Sequence, residues 1–146
     1  IRAEDERADR RASAFIDAAV RAGLAQVAVV NVGASRSLQS GREALGQLLA
    51  QAPDVDAVFC SSDLLALGAL TEARVRGIAI PERMAIMGFG DVPFAADMAP
   101  ALSTVHINGV DIGRLAARRL IDRAEGREVA QRVVDVGFSI VERETS

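Results

Sequence analysis

Lysine, tyrosine and tryptophan are absent from this chain of 146 residues, and cysteine and histidine occur once each. The single Cys60 excludes a disulfide framework and a cysteine-rich zinc site, because both need several thiols. The single His106 likewise excludes a metal centre built from several histidines. Without lysine, the chain cannot contain the phosphate-binding loop whose motif includes Gly-Lys. We therefore expect neither a metal nor a cofactor.

The chain also lacks a long apolar run and an excess of positive charge. No run approaches the ~20 apolar residues needed to cross a bilayer, and the alternating charges from Arg2 to Arg7 are unlike a signal peptide. Seventeen arginines against twenty acidic residues give a net charge of −3. The basic surface of a self-sufficient nucleic-acid binder is therefore missing, and we expect a cytoplasmic protein that contacts no membrane. Residue 1 is Ile rather than Met, which favours a piece of a longer protein.

Helical and strand-like patterns alternate along the chain. Apolar residues at helical spacing predict helices over 4–22, 41–50, 62–77 and 109–125, and a short helical piece over 94–98. Short apolar runs predict strands over 27–30, 56–60, 84–89 and 102–107, and one or two more within 133–141. Strands joined by helices imply right-handed crossovers. The predicted fold class is α/β, a three-layer parallel sheet with helices on both faces.

Three polar loops follow predicted strands, over 31–40, 60–63 and 88–91. Ligands of an open parallel sheet bind outside the carboxyl ends of its strands, which is where these loops lie. Their side chains are small or polar, and Arg36 is the one cation among them. Such an edge suits hydrogen bonds to a polyol or a carboxylate. The alternative is that its serines and aspartates only cap the helices that follow.

Catalytic motifs are missing from the sequence. Gly88 and Gly90 form a G-x-G without the third glycine of a dinucleotide fingerprint, and no G-x-S-x-G nucleophile elbow occurs. Cys60 ends a buried strand and is interpreted as a core residue. His106 is interpreted as a structural residue with a surface hydrogen bond. We expect no enzyme, and a small α/β enzyme acting on sugar acids or their phosphates is the most distant alternative.

Four segments carry a more specific signal: AVFCSSDLLALGAL at 57–70, GIAIPE at 77–82, IMGFGD at 86–91 and PALSTV at 100–105. In this order they resemble the lac-repressor (LacI/GalR) family. Members of that family carry a P-x-L-T-T-[VI] segment where this chain has PALSTV. The match covers nearly the whole chain. The loop GDVPFA at 90–95 looks most like that of the gluconate-type members.

The resemblance implies the effector-binding domain of a bacterial transcriptional regulator, with a two-lobed periplasmic-binding-protein-like fold. Residues 1–107 would form the C-terminal lobe without its first strand, and residues 108–146 would supply a crossover helix and terminal strands belonging partly to the other lobe. The effector would be a sugar, sugar acid or sugar phosphate, and DNA would be bound only by a helix-turn-helix absent from this chain. The alternative is a sugar-binding protein of a transport system, which a signal peptide upstream in the parent gene would indicate.

The resemblance also implies effector contacts at six positions: Arg11, Arg36, Ser62, Asp63, Gly90 and Asp91. Arg11 stands four residues before Phe15, like the arginine of the family motif R-x-x-G-[FYW], with Ala14 in place of the glycine. Gly90 replaces an aspartate of many members. Two arginines facing the cleft and one lost carboxylate favour an anionic effector. The alternative for Arg36 is a solvated loop cation.

Pairing of two chains is implied as well. The family pairs through the C-terminal lobe at positions that correspond to Leu67 and Met98, so a homodimer that buries both is expected. By the same analogy, the chain leaves the first lobe after 102–107. The helix predicted over 109–125 would then have no sheet to cover Ala117, Leu120 and Ile121.

Overall fold

A computed structural model describes residues 6–24, 27–33, 37–129, 131 and 133–146. Its helices are α1 (Glu6–Arg21), α2 (Leu38–Gln51), α3 (Asp63–Val75), α4 (Phe94–Asp97) and α5 (Gly109–Ala124). Its strands are β1 (Ala57–Phe59), β2 (Ala85–Gly90), β3 (Ser103–His106) and β4 (Ser139–Val141). Every predicted helix is confirmed to within three residues at its ends, although residues 4 and 5 lie outside the described part of the chain.

The four strands form one sheet in the order β1-β2-β3-β4. β2 pairs in parallel with both β1 and β3, and Gly88 lies opposite Thr104. β4 runs antiparallel to β3, with Val105 opposite Ile140. The sequence had predicted a fully parallel sheet. The observed sheet is mainly parallel, with one antiparallel strand. The reason is that the chain after α5 re-enters beside the end of β3 instead of crossing back over the sheet.

Helices cover both faces of the sheet. On one face, Phe15 of α1 stacks on Phe59 of β1 with the ring centroids 5.6 Å apart. On the other face, Gly88 of β2 lies against α3, since a Cβ built on it would come 2.2 Å from Oδ1 of Asp63. Phe59 pairs with Met87, and successive side chains of a strand point to opposite faces. α1 and α3 thus lie on opposite faces, which confirms the three-layer α/β arrangement.

α2 and α3 pack with their backbones in contact. A Cβ on Gly41 would lie 2.3 Å from the carbonyl oxygen of Leu65, and one on Gly68 would lie 2.2 Å from that of Leu38. Only glycine permits this approach. The two helices bury an aliphatic core against β1 and β2, which includes Leu45, Leu48, Val58, Leu65, Ala69, Met84, Ile86 and Leu102.

Serine side chains begin both of these helices. Ser62 accepts a hydrogen bond from the Leu65 amide at 3.4 Å, which confirms the predicted cap of α3. Ser37 accepts one from the Ser40 amide at 3.0 Å, so α2 begins at Leu38 and not near residue 41. The sequence did not predict that α2 begins at Leu38, because residues 31–40 lack apolar residues at helical spacing. The capping serine satisfies the first amides of the helix even where that spacing is missing.

The strand predicted over 27–30 is wrong. Val30 is buried, with 3% of its surface exposed, but residues 27–30 form no ladder, and only Asn31 makes an isolated bridge. An apolar run reports burial, whereas a strand also requires a neighbouring backbone with which to exchange hydrogen bonds.

Residues 143–146 insert between the beginnings of β2 and β3. The carbonyl oxygen of Thr145 accepts a hydrogen bond from the Ile86 amide at 2.8 Å. The hydroxyl of Thr145 donates a hydrogen bond to the Ile86 carbonyl at 2.7 Å. The same hydroxyl accepts from the Ser103 amide at 2.8 Å. Thr145 is fully buried. Of the one or two strands predicted within 133–141, the described residues form one, β4.

α5 stands away from the sheet and buries none of its residues. Leu120 and Ile121 are 70% and 55% exposed. The uncovered apolar face expected for this helix is thus observed. The hydrogen bond from the Asp111 amide to the Asn108 side chain caps the helix locally.

Replacing Gly68 by alanine is expected to lower the free energy of unfolding by about 1–3 kcal/mol, the usual cost of overpacking. The added methyl group meets backbone rather than a flexible side chain. Gly113→Ala is the matched control, since nothing lies within 4 Å of a Cβ at this helical position. It should raise stability by up to about 1 kcal/mol through helix propensity. Urea unfolding measures both, and equal effects would contradict the backbone contact.

Candidate functional site

The candidate site is the carboxyl edge of the sheet, where β1, β2 and β3 end. Ser61, Ser62 and Asp63 follow β1, Asp91 follows β2, and His106 ends β3. The structure therefore places four of the predicted site residues, Ser62, Asp63, Gly90 and Asp91, at one edge. Asp63 is the first residue of α3, where the positive end of the helix dipole favours a carboxylate.

Asp63 is the buried carboxylate of the edge, with 1% of its surface exposed. Its Oδ1 accepts from the Thr104 hydroxyl at 2.6 Å, and its Oδ2 accepts from the Val92 amide at 2.9 Å. One side chain thus joins the start of α3, the loop after β2, and β3. Because both carboxylate oxygens accept hydrogen bonds from the protein, Asp63 holds these three elements together at the edge.

Gly88 of β2 makes room for this carboxylate, whereas Gly90 meets a requirement of the backbone. A Cβ on Gly88 would come 2.2 Å from Oδ1 of Asp63, which no side chain tolerates. Gly90 has φ +133°, a conformation that L side chains rarely adopt. The backbone conformation at position 90 therefore explains why this chain has glycine where many family members have an aspartate.

Asp91 is held by the side chains of Arg143 and His106. Its Oδ1 accepts from the Arg143 guanidinium at 2.7 Å, and Nδ1 of His106 donates to its Oδ2 at 2.9 Å. Burial raises the pKa of Asp91, but the hydrogen bonds from Arg143 and His106 outweigh it and hold that pKa below its usual range. Arg143 also donates to the Leu102 carbonyl at 2.7 Å. The network ties residues 143–146 to the carboxyl edge, and the hydrogen bond predicted for His106 is present.

Arg11 reaches the same edge from α1. Its guanidinium carbon lies 4.2 Å from the centroid of the Phe89 ring, and its Nη2 lies 3.5 Å from the Ser61 carbonyl oxygen, to which it donates. Phe15, one helical turn later, stacks on Phe59 and orients this face of α1 toward the sheet. A cation over an aromatic face is held by the ring quadrupole.

The remaining predicted residues lie elsewhere. Arg36 lies outside the described residues. Leu67 is half-buried on α3, and Met98, which follows α4, packs against the core. Burial raises the pKa of Cys60 to about 11, so its thiol is protonated near neutral pH and behaves as the predicted core residue.

Sequence reasoning missed Phe89, Thr104 and Arg143 as members of this edge. Thr104 belongs to the PALSTV segment, which was the only available signal. Arg143 is 52 positions from its partner Asp91, and no local pattern reports a contact at that separation.

The described residues lack both a metal-binding cluster and a membrane-spanning helix. They contain no group of three or more histidine, cysteine, aspartate or glutamate side chains placed to hold a metal ion. Within the same residues, no helix has both the length and the apolar character that a membrane span requires.

The chain is similar to known proteins in both sequence and structure. The family model of the periplasmic binding protein-like domain matches residues 1–146. The HTH-type transcriptional regulator GntR of Pseudomonas aeruginosa is 42% identical over 110 residues, which cover 75% of this chain and 32% of that protein. The chain thus spans about a third of this curated relative.

Two solved structures are closely similar. The transcription regulator GntR from Chromobacterium violaceum superposes with a TM-score of 0.91 at 40% identity, covering 100% of this chain and 55% of that one. The complex of the transcriptional regulator CelR with cellobiose gives 0.85 at 32% identity, covering 93% and 42%. All three proteins are transcription regulators by name. A LacI-type transcription regulator from Bifidobacterium animalis subsp. lactis superposes with a TM-score of 0.83 at 31% identity, covering 92% of this chain and 49% of that one. The resemblance to the LacI/GalR regulators is therefore confirmed.

The stability contributed by Asp91 should depend on pH. Because the pKa of Asp91 is lowered on folding, its contribution is present above the unfolded pKa of about 3.9 and is lost as pH falls through the folded value. Asp91→Asn should therefore cost about 1.5–3 kcal/mol at pH 7, and the difference should shrink at pH 3. Asparagine tolerates the positive φ of this position.

Asp122→Asn is the control for this experiment, since Asp122 pairs with the more exposed Arg127 on the surface. It should cost less than about 1 kcal/mol. Urea unfolding at both pH values measures the differences, and a cost for Asp91→Asn that is the same at pH 7 and pH 3 would contradict the charged network.

Proposed function

Because the chain belongs to the periplasmic binding protein-like domain family, we propose that it is the effector-binding domain of a bacterial LacI-type transcriptional regulator. The relatives reported above are regulators rather than transport proteins, which favours this over a transport-system sugar-binding protein. A helix-turn-helix of the longer protein would bind the operator DNA. The observation that carries the proposal is Arg11, held across Phe89 beside Ser61 at the carboxyl edge.

The effector proposed for this edge is a sugar acid or a sugar phosphate. Both oxygens of Asp63 accept from Thr104 and Val92, and those of Asp91 accept from Arg143 and His106. The Arg143 guanidinium offsets the charge of Asp91, so this carboxylate opposes an anion less than an unpaired one would. Arg11 supplies a planar set of donors suited to a carboxylate or phosphate. Arg36 is proposed as a second cation.

Effector binding would act by shifting an equilibrium between lobe arrangements. In this proposal residues 1–107 form one lobe, and α5 with part of 108–146 contacts the other. The exposed apolar face of α5 supports this division, because Leu120 and Ile121 are uncovered. Arg143 connects Asp91 at the edge to the segment inserted between β2 and β3, so residues 143–146 belong to the lobe built on this sheet.

Calorimetry on the full-length regulator tests the effector class. Gluconate or a related sugar acid should bind more tightly than the neutral hexose, and Arg11→Ala should weaken its binding by about 1.5–3 kcal/mol through loss of a charged hydrogen bond. Arg10→Ala is the matched control, because this neighbouring side chain is exposed and pairs with Glu6 on the surface. Equal or reversed affinities for acid and hexose would exclude the proposed class.

We also propose that the regulator is a two-fold symmetric dimer that buries Leu67 and Met98. Such an interface places the same patch of both subunits in contact. Leu67→Asp should produce monomers at micromolar concentration, because an unpaired charge would be buried in the interface. Val75→Asp is the control, at an exposed position of the same helix. Light scattering distinguishes the outcomes, and a dimer unaffected by Leu67→Asp would argue against this interface.

A further inference from the structure

His106, the single histidine of the chain, lies at the carboxyl edge. It is the last residue of β3 and lies opposite Gly90, the last residue of β2. The preceding residue of β2, Phe89, carries the Arg11 guanidinium on its ring. Because successive residues of a strand face opposite sides of the sheet, a ligand lying across the end of β2 has Arg11 on one side and His106 on the other.

The hydrogen bond to Asp91 determines which ring nitrogen of His106 can change its charge. Nδ1 lies 2.9 Å from Oδ2 of Asp91. Arg143 donates to the other oxygen of Asp91, and the pKa of this carboxyl is lowered. An ionised carboxylate can only accept hydrogen bonds, so Nδ1 carries a hydrogen whether the ring is neutral or charged. Nε2 is therefore the nitrogen that gains or loses a proton.

Nε2 is also the part of the ring that a ligand can reach. Among the side chains that the structure describes, Asp91 is the hydrogen-bond partner of His106, and it occupies Nδ1. The His106 side chain is 42% exposed, against 18% for Asp91 and 19% for Arg143. A neutral Nε2 accepts a hydrogen bond, whereas a protonated Nε2 donates one and suits an anion.

Charges of opposite sign are balanced around His106 while its ring is neutral. β4 places the uncharged Ser139 opposite it. The neighbouring elements carry carboxylates and guanidinium groups in equal number: Asp91 with Arg143, Asp111 with Arg114, and Asp63 and Arg11. A proton on Nε2 therefore adds a positive charge that no carboxylate of the described edge neutralises.

We propose that His106 is a specificity-determining residue of this edge, which takes up a proton from solvent when an anionic effector binds and donates from Nε2 to that effector. The inference rests on the sugar-acid class proposed above. The negative charge of the ligand stabilises the imidazolium, and by reciprocity the imidazolium strengthens binding of the ligand. Histidine side chains change charge roughly between pH 5 and 8. The affinity for the acid should therefore rise as pH falls through this range, and the affinity for a neutral hexose should not.

Calorimetry on the full-length regulator counts the proton. Gluconate and glucose are titrated at about pH 6.5 in PIPES and in Bis-Tris, whose heats of ionisation differ. The difference in measured heat between the two buffers then gives the number of protons taken up. Gluconate should take up a fraction of a proton per site, and glucose should take up none.

The pH dependence of the affinity is the second readout. Gluconate should bind at least about fivefold more tightly at about pH 6 than at about pH 8. A sugar carboxyl ionises near pH 4, so gluconate stays charged throughout. Burial raises the pKa of Cys60 to about 11 and that of Asp91 is lowered, so neither residue changes charge in this range.

His106→Asn is the matched variant. The side-chain amide of asparagine takes the place of Nδ1 as donor to Asp91, but it has no nitrogen that titrates. Histidines elsewhere in the full-length regulator remain unchanged. In this variant gluconate should bind without proton uptake, and its affinity should no longer depend on pH in this range.

Three results would overturn the proposal. Tighter binding of gluconate than of glucose without proton uptake would reject the role of His106 and leave the effector class standing. Equal uptake by the unmodified regulator and His106→Asn would assign the proton to another group. Equal affinities for gluconate and glucose at about pH 6 would reject the effector class, and this inference with it.

Discussion

The buried carboxylate of Asp63 is the interaction on which the carboxyl edge depends. Its two oxygens accept from Thr104 on β3 and from the Val92 amide after β2, while its own backbone begins α3. Burying a carboxylate is costly unless every oxygen is paired. This requirement brings three elements to one point. It also explains Gly88, because any side chain there would occupy the position of the Asp63 oxygen.

Asp91, Arg143 and His106 form a second polar network at the carboxyl edge. Asp91 takes its position from the positive φ that follows Gly90, and its oxygens bind Arg143 and His106. Arg143 belongs to the segment whose Thr145 lies between β2 and β3. The geometry of the edge is thus continuous with residues 143–146.

The two faces of the sheet are built by different means. On the α2 and α3 face, Gly41 and Gly68 allow backbone contact and the core is dry and aliphatic. On the α1 face, aromatic contacts dominate, with Phe15 on Phe59 and Arg11 on Phe89. The α1 face carries Arg11, the proposed ligand-binding cation.

Local patterns in the sequence determined the helices, the cap at Ser62, the α/β class and the family, because periodicity, capping residues and contiguous motifs are properties of neighbouring residues. The tertiary structure alone decided which of the polar residues serve the edge. Asp63 and Asp91 turned out to be engaged with Thr104 and Arg143, which lie 41 and 52 positions away. The tertiary structure also decided that residues 27–30 form no strand and that β4 runs antiparallel. Hydrogen-bond partners and strand direction depend on which distant backbone lies alongside, and no local pattern of side chains carries that information.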